Sequence, residues 1–447
     1  MATTLALPRT LPRDPHIDST LGLLTDGYEF ISKRARAWET DAFAAKFLGR
    51  DVVCVTGAAA AQEFYDTSLF ERGDVTPHRI RRTLIGDGGV QGLDGEAHAH
   101  RKEAFMSLMS PDSMAELIRI AGRRWDAAIS SWQERDQVEL LCETQFVLCR
   151  AACAWAGVPL PGFELSARTR DLAAMVDSFG AVGWRHWRGR WARTRSELWI
   201  RSMIERVRGR TFTAPSGSAL ALWTWLRDEN GKLLPSKVAA VEMLNVLRPI
   251  VAVSNFIAFA AAALIKHPEY RQRLAAREKG LEECFVHEVR RFYPFAPFVG
   301  ARTRVAFDSV TGYALAKDQL VLLDIYGTNH DARLWQRPEK FFPERYYKRA
   351  IGAFDYLPQG GGDPHAGHRC AGEWITIALM RQAVCMLAQC IDFDVPAQDL
   401  SFRLSRMPTY PRSGVCLAHV RQRRNVSDVP PALPAAAGCP DKMRSAK

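Results

Sequence analysis

Two stretches of this 447-residue chain hold residues whose types and spacing could do chemistry. The first is Leu357 to Glu373, LPQGGGDPHAGHRCAGE. Gly360, Gly361, Gly362 and Gly367 precede a lone Cys370, and a helical pattern follows. Glycine tolerates positive φ and lets backbone approach closely. A cysteine at a helix start feels the positive helix end, which favours the thiolate. A thiolate held by a glycine-rich loop beneath a flat ligand suits the iron of a metal porphyrin. Other readings compete. A phosphate-cradling loop would need G-K-[ST], which is missing. A zinc site from His365, His368 and Cys370 lacks a fourth ligand at ordinary spacing. A glycine-rich turn around a buried cysteine requires no ligand, and the loop alone leaves it as an equal alternative.

The second stretch is Asn245-Val-Leu-Arg-Pro-Ile-Val-Ala252, inside a long apolar helical pattern. Pro249 removes one helical hydrogen bond and crowds the carbonyl of Asn245, so a kink is expected there. Arg248 has no acid at i±3 or i±4, where Leu244, Asn245, Val251 and Ala252 stand. A buried guanidinium without a partner costs several kcal/mol. Either Arg248 turns to solvent or a distant acid, or its partner is not protein. Its planar fork matches a carboxylate, so a carboxylic-acid substrate would neutralise it.

The rest of the chain must position these groups. Hydrophobic residues make up 47% and charged residues 24%, an ordinary globular balance that excludes disordered, collagenous and disulfide-scaffold classes. Ten cysteines form no C-x-x-C or zinc spacing, and Cys149 and Cys153 sit in apolar helical text. A reducing compartment, the cytoplasm, is therefore expected. Met1 to Asp18 lacks a basic start followed by an apolar run, so no signal peptide is expected. The seventeen charge-free residues between Arg248 and Lys266 include Pro249, Ser254 and Asn255, which points to a buried core helix rather than a membrane span.

Helical patterns cover Pro111–Glu134, Val138–Ala156, Glu164–Phe179, Trp191–Arg208, Ser236–His267, Gly280–Phe292 and Ala371–Ile391. Strand-like runs are short: Asp51–Thr56, Phe298–Thr303 and Gln319–Ile325. Many helices with small peripheral sheets predict one large, mainly α domain. Its expected limits are residues 19–423, after an N-terminal arm (1–18) and before a Pro/Ala-rich tail (424–447) expected to be disordered.

Net charge is +11, and Trp184–Arg210 alone carries +7 from nine arginines against Glu197 and Glu205. In this block Trp184, Trp187 and Trp191 share one helical face. Basic residues interleaved with aromatics can bind nucleic acid or anionic lipid. The favoured reading is a solvated basic face with the tryptophans turned inward. Weak contact with a membrane surface is the functional alternative, and no nucleic-acid partner is expected.

Glu288-Val-Arg-Arg291 places Glu288 and Arg291 on one helix face, and Pro343-Glu-Arg345 follows a strand. Singly, these are candidate surface salt bridges. In order, an E-x-x-R helix, a strand, a P-E-R turn and a glycine-rich cysteine loop strongly resemble the haem-thiolate superfamily, the cytochromes P-450, over residues 45–420. The resemblance implies a single, large, mainly α fold with small sheets. It implies haem b with Cys370 as axial ligand, and Glu288, Arg291 and Arg345 as a structural ion-pair triad. His98 and Lys102, at i,i+4, resemble the superfamily's propionate clamp, and Arg369 is expected to assist them.

Two features depart from the superfamily pattern. The segment Gly361–His368 is expanded, and the central helix lacks the acid–alcohol pair that serves dioxygen. Arg248-Pro249, with GHRCAGE and RRFYPFAPF, resembles one branch, the bacterial fatty-acid peroxygenases. That resemblance implies hydrogen peroxide as oxidant, no redox partner, and a long-chain fatty acid whose carboxylate, held by Arg248 beside Pro249, acts as general acid–base. Gln91 aligns with the position that is His in alkene-forming relatives, so hydroxylation at Cα or Cβ is expected over decarboxylation. A non-catalytic haem or fatty-acid sensor is the other alternative. Phe295, Pro297, Phe298 and Val299 are candidate walls of a tunnel for the acyl chain, although ordinary core packing would use the same residue types.

Overall fold

The computed structural model describes residues 10–430 and 433. The central helix, Ser236–Lys266, is apolar nearly all round and is buried along almost its whole length. Helices of that kind sit in the middle of a core. It packs against Leu140–Ala156, Trp184–Arg208 and Glu373–Cys385. Helical structure continues through Pro249 to Lys266. Among the described residues this is the one helix long and apolar enough to cross a bilayer, and 83% of its apolar window lies inside the protein.

The helix Pro111–Trp132 begins with Ser110, whose Oγ accepts from Ser113 N at 3.3 Å, and with proline at its first position. Leu140–Ala156 ends on Gly157 in the left-handed region. Here the expected helix from Val138 is corrected: Gln137–Glu139 is a strand paired with Cys416–Gln422, which also pairs with Ile391–Asp394. The expected helix Ala371–Ile391 is likewise shorter. It runs Glu373–Cys385, widens into a π turn at Met386–Cys390, and gives way to that sheet.

The three expected strands meet in a five-stranded sheet of order Ala42–Phe47, Arg50–Val55, Leu320–Asp324, Phe298–Thr303, Phe70–Glu71. Arg50–Val55 runs parallel to Leu320–Asp324, with Val52 opposite Leu320, and Phe298 lies opposite Asp324. This register sets the strand Phe298–Thr303 beside the cavity described below.

Asp324 is fully buried at the end of its strand. Its Oδ1 caps the next short helix by accepting from Gly327 N at 2.7 Å, while Oδ2 has no partner. Burial pushes its carboxyl up to about 7, only partly offset by the Gly327 hydrogen bond. In the unfolded chain it ionises near 4. The folded state therefore holds an extra proton between those values. Stability should fall as pH rises from about 4 to about 7, by up to about 4 kcal/mol, and then level off. Asp324→Asn should flatten that slope and raise the melting temperature at pH 8. Unchanged melting profiles from pH 5 to 8 would contradict it.

Three boundaries also move. The basic helix runs Trp184–Arg208, beginning seven residues before the expected Trp191. The three tryptophans expected on its inner face do not turn inward: Trp184 is 66% exposed and Trp187 and Trp191 are each 50% exposed, while Trp199 further along the helix is buried. Periodicity puts residues on one face but does not say which face meets solvent. At the termini, Asp14 N donates to Ala44 O at 2.9 Å, and Val426 is fully buried with its N–H on Asp126 Oδ1 at 2.6 Å. The packed domain therefore takes in part of the expected arm and the start of the expected tail. Residues 1–9, 431–432 and 434–447 of those segments lie outside the described residues.

Candidate active site

The cysteine loop is pinned from several sides. Leu357 N donates to Asn329 Oδ1 at 2.8 Å, and Cys370 N donates to Gln359 O at 3.1 Å. Gly361 is required by a close approach, since a Cβ there would meet Leu357 at 2.7 Å and the Ala353 carbonyl oxygen at 2.8 Å. Cys370 Sγ lies 3.7 Å from Gln359 Nε2. Burial pushes the thiol up, and Lys102 together with the Gly372 N–H offsets this only in part. The helix Glu373–Cys385 starts three residues later, so the helix end does not make Cys370 a thiolate unaided. A bound metal cation would, because coordination deprotonates a thiol outright.

Behind the loop are two ion-pair clusters. Glu288 accepts from Arg291 Nε at 2.9 Å and Nη2 at 2.7 Å, and Arg345 Nε stands 3.0 Å from the same carboxylate. Arg291 also donates to the carbonyls of Asn329 (2.9 Å) and Pro338 (3.0 Å). The second cluster was not anticipated. Arg290, next along the helix Leu281–Phe292, pairs with Glu373 and donates to Gln359 Oε1 at 2.9 Å. Glu373 also pairs with Arg369 at 2.6 Å. Burial alone would raise the Glu373 carboxyl, but Arg290 and Arg369 outweigh it and hold it at about 2.

His98, Lys102 and Arg369, expected at the propionates, all line the cavity beside Cys370. The Arg369 fork is engaged by Glu373. Burial, with His368 second, pushes His98 down to about 4. Its ring lies 4.0 Å from that of His368. Lys102 is buried and donates to the Arg369 carbonyl. His368, 3.7 Å from Asp94, was not singled out for this role although it belongs to the same loop.

A largely apolar cavity of about 450 Å³ opens over Cys370. Gln91, Arg248 and Pro249 line it, as do Phe295, Phe298 and Val299. Pro297 is not part of that lining. Phe295 stacks on Phe256 of the central helix, with centroids 4.4 Å apart. Arg248 is 6% exposed, and its Nη1 has no hydrogen-bond partner. Burial, with Arg193 second, pushes the guanidinium down to about 9. Arg193 itself is held by Glu197 at 2.6 Å. Among the described residues no carboxylate pairs with Arg248.

Gln91 is held by a chain of contacts that sequence reading missed. Glu242 is fully buried and accepts from Arg101 Nη1 (2.6 Å), Val90 N (2.8 Å) and Asn245 Nδ2 (3.0 Å). Asn245 Nδ2 donates in turn to Gln91 Oε1 at 3.3 Å. By accepting from Asn245 Nδ2, the Glu242 oxygen orients the Asn245 amide and, through it, Gln91. The Gln91 Nε2 donor is then free for the cavity. An acid within an otherwise apolar helix, six residues before Arg248, was the available signal.

A family model, Cytochrome P-450, matches residues 281–409. Among solved structures, cytochrome P-450EX alpha of the CYP152 family, with myristic acid, is 39% identical, with TM-score 0.90 over 93% of this chain and 100% of that one. P-450SP alpha, in complex with (R)-ibuprofen, is 43% identical, with TM-score 0.88 over 91% of this chain and 99% of that one. Among curated relatives, putative cytochrome P-450 138 of Mycobacterium tuberculosis is 23% identical over 80% of this chain and 84% of its own length. The match to cytochrome P-450 3A40 of Oryzias latipes is local, 34% identical over 116 residues and 22% of that protein.

The fold and these likenesses define a cytochrome P-450, an oxidoreductase whose cofactor is haem with an axial cysteine thiolate. Within that superfamily the chain belongs to the CYP152 branch, the fatty-acid peroxygenases. Its residues fit the group. The cavity lining has one thiol, Cys370, a glycine-rich loop in which Gly361 leaves no room for a side chain, and a buried cation, Lys102, near that thiol.

Proposed function

We propose that this protein hydroxylates long-chain fatty acids at Cα or Cβ with hydrogen peroxide as oxidant and without a redox partner. The observation that carries this reading is Arg248, whose unpartnered Nη1 stands at an apolar cavity that also takes in Cys370. An uncompensated buried guanidinium calls for an anion, and its planar fork suits a carboxylate. The relatives with myristic and arachidonic acid support a fatty acid as that anion's source.

When bound, the haem supplies the iron centre at which the peroxide O–O bond is broken and the C–H bond oxidised. The chain's residues hold the haem and orient the substrate, whose own carboxylate moves the proton. Cys370 would hold the haem iron through its sulfur, with the Gln359 amide and the Gly372 N–H available to stabilise that sulfur. Lys102 and His98 would meet the haem propionates. Arg248 holds the substrate carboxylate, and Pro249 supports its placement. A carboxylate at that point can take the proton from one peroxide oxygen and return it to the other, so that water leaves. Anchoring one end of the chain also fixes which carbons are presented, namely those next to the carboxylate. Phe295 and Val299 bound the path of the remaining chain.

Gln91 is uncharged and held by Asn245, so it offers no acidic proton to the reacting carbons. Gln91→His is expected to raise the terminal-alkene fraction among the products at the expense of hydroxy acids. Product mass spectrometry reads this, and an unchanged distribution would mean that Gln91 does not steer the outcome. The overall assignment is tested by incubating the holoprotein with a fatty acid and peroxide alone.

A further inference from the structure

The connection between the helices Gly162–Asp177 and Trp184–Arg208 turns through Gly180 and Gly183, both at positive φ. Just beyond it stand the exposed Trp184, Trp187 and Trp191, with Val182 beside them 54% exposed. The Trp184 and Trp191 rings meet edge to face at 5.3 Å, and the Arg190 guanidinium lies 5.5 Å from the Trp187 ring. Single exposed apolar side chains need no explanation, but a contiguous aromatic patch rimmed by polar groups marks an interaction surface.

The charge around the rings is one-sided. Arg185, Arg188 and Arg406 share one carboxylate, that of Asp177. Arg190 pairs with no carboxylate among the described residues, and burial, followed by the nearby Arg79 and Arg190, pushes the His186 imidazole down. Indole rings, apolar in body and polar at one edge, set among excess guanidinium groups, have the chemistry that the headgroup level of an anionic bilayer selects. The patch also adjoins the cavity. Phe179, in the same connection, lines the cavity together with Pro408, and Arg185 donates to the neighbouring Met407 carbonyl at 3.2 Å.

We propose that Trp184, Trp187, Trp191 and the surrounding arginines dock the protein on membranes that carry anionic headgroups, with the Phe179 end of the cavity toward the lipid. This docking does not depend on which oxidation the site performs. The test is co-sedimentation of the full-length holoprotein with vesicles of phosphatidylcholine alone and of phosphatidylcholine mixed with phosphatidylglycerol. Binding to the mixed vesicles is expected to be at least about fivefold tighter than to neutral ones and to fall steeply with added salt. The triple variant Trp184→Ser, Trp187→Ser, Trp191→Ser should bind mixed vesicles about tenfold more weakly, and Arg190→Glu at least about fivefold more weakly. Both should retain wild-type turnover of a fully dissolved substrate. The proposal is overturned if the protein does not sediment with mixed vesicles or if the variants bind as tightly as wild type. It is also overturned if light scattering shows a dimer that the triple variant abolishes, because the patch would then belong to a second copy of the chain.

Discussion

Arg248→Ala is expected to lower peroxide-driven turnover of long-chain fatty acids by about a thousandfold, the range associated with losing a positioned acid–base group. The variant should still fold and bind haem. In the free protein the Arg248 Nη1 has no partner, so its removal deletes a buried charge instead of breaking a pair. Thermal stability without fatty acid should therefore hold or rise. Short carboxylic acids in solution should partly restore oxidation of substrates that carry no acid group, because they can supply the same proton transfer from the emptied space. Wild-type rates in the variant would show that the guanidinium has no part in the reaction. A variant that loses activity together with its fold would mean that Arg248 is structural.

The second large effect is on stability. Glu288→Ala should cost about 3–5 kcal/mol, the usual consequence of leaving buried charge uncompensated. Glu288 is the shared acceptor for Arg291 and Arg345, and those side chains are 0% and 6% exposed. It also accepts from Phe342 N at 2.9 Å, so the turn that carries Arg345 loses its anchor as well. Glu282→Ala is the control. Its partner Arg381 lies at 2.9 Å, but the Glu282 side chain is 29% exposed, and its loss should cost no more than about 1 kcal/mol. Denaturant midpoints of both variants decide this, and equal losses would contradict the account.

The central helix was legible because its signal is local. An apolar run bounded by polar residues predicts Ser236–His267, and Ser236–Lys266 is found. The cysteine loop and the E-x-x-R helix were legible for the same reason, as their chemistry lies within a few residues. Arg248 stood out because a cation in apolar text demands a partner. What could not be read depends on contacts far apart in sequence. Arg290 and Glu373 are 83 residues apart, and only the fold reveals that the Arg369 fork is already engaged by that carboxylate. Glu242 reaches Arg101 across 141 residues. The strand Gln137–Glu139 exists because Cys416–Gln422 lies beside it, and its own residues continue smoothly into a helix. Spacing likewise put the three tryptophans on one face but could not say whether protein or solvent covers it.

The account rests on the guest lipid supplying the carboxylate that none of the described residues places beside Arg248. Its most direct measurement gives the purified haem-loaded chain hydrogen peroxide and either myristic acid or its methyl ester, with no reductase present, and identifies the products by mass spectrometry. The account predicts 2- or 3-hydroxymyristate from the acid and almost no product from the ester. Equal oxidation of both, or turnover of the acid only when a reductase and dioxygen are added, would contradict it.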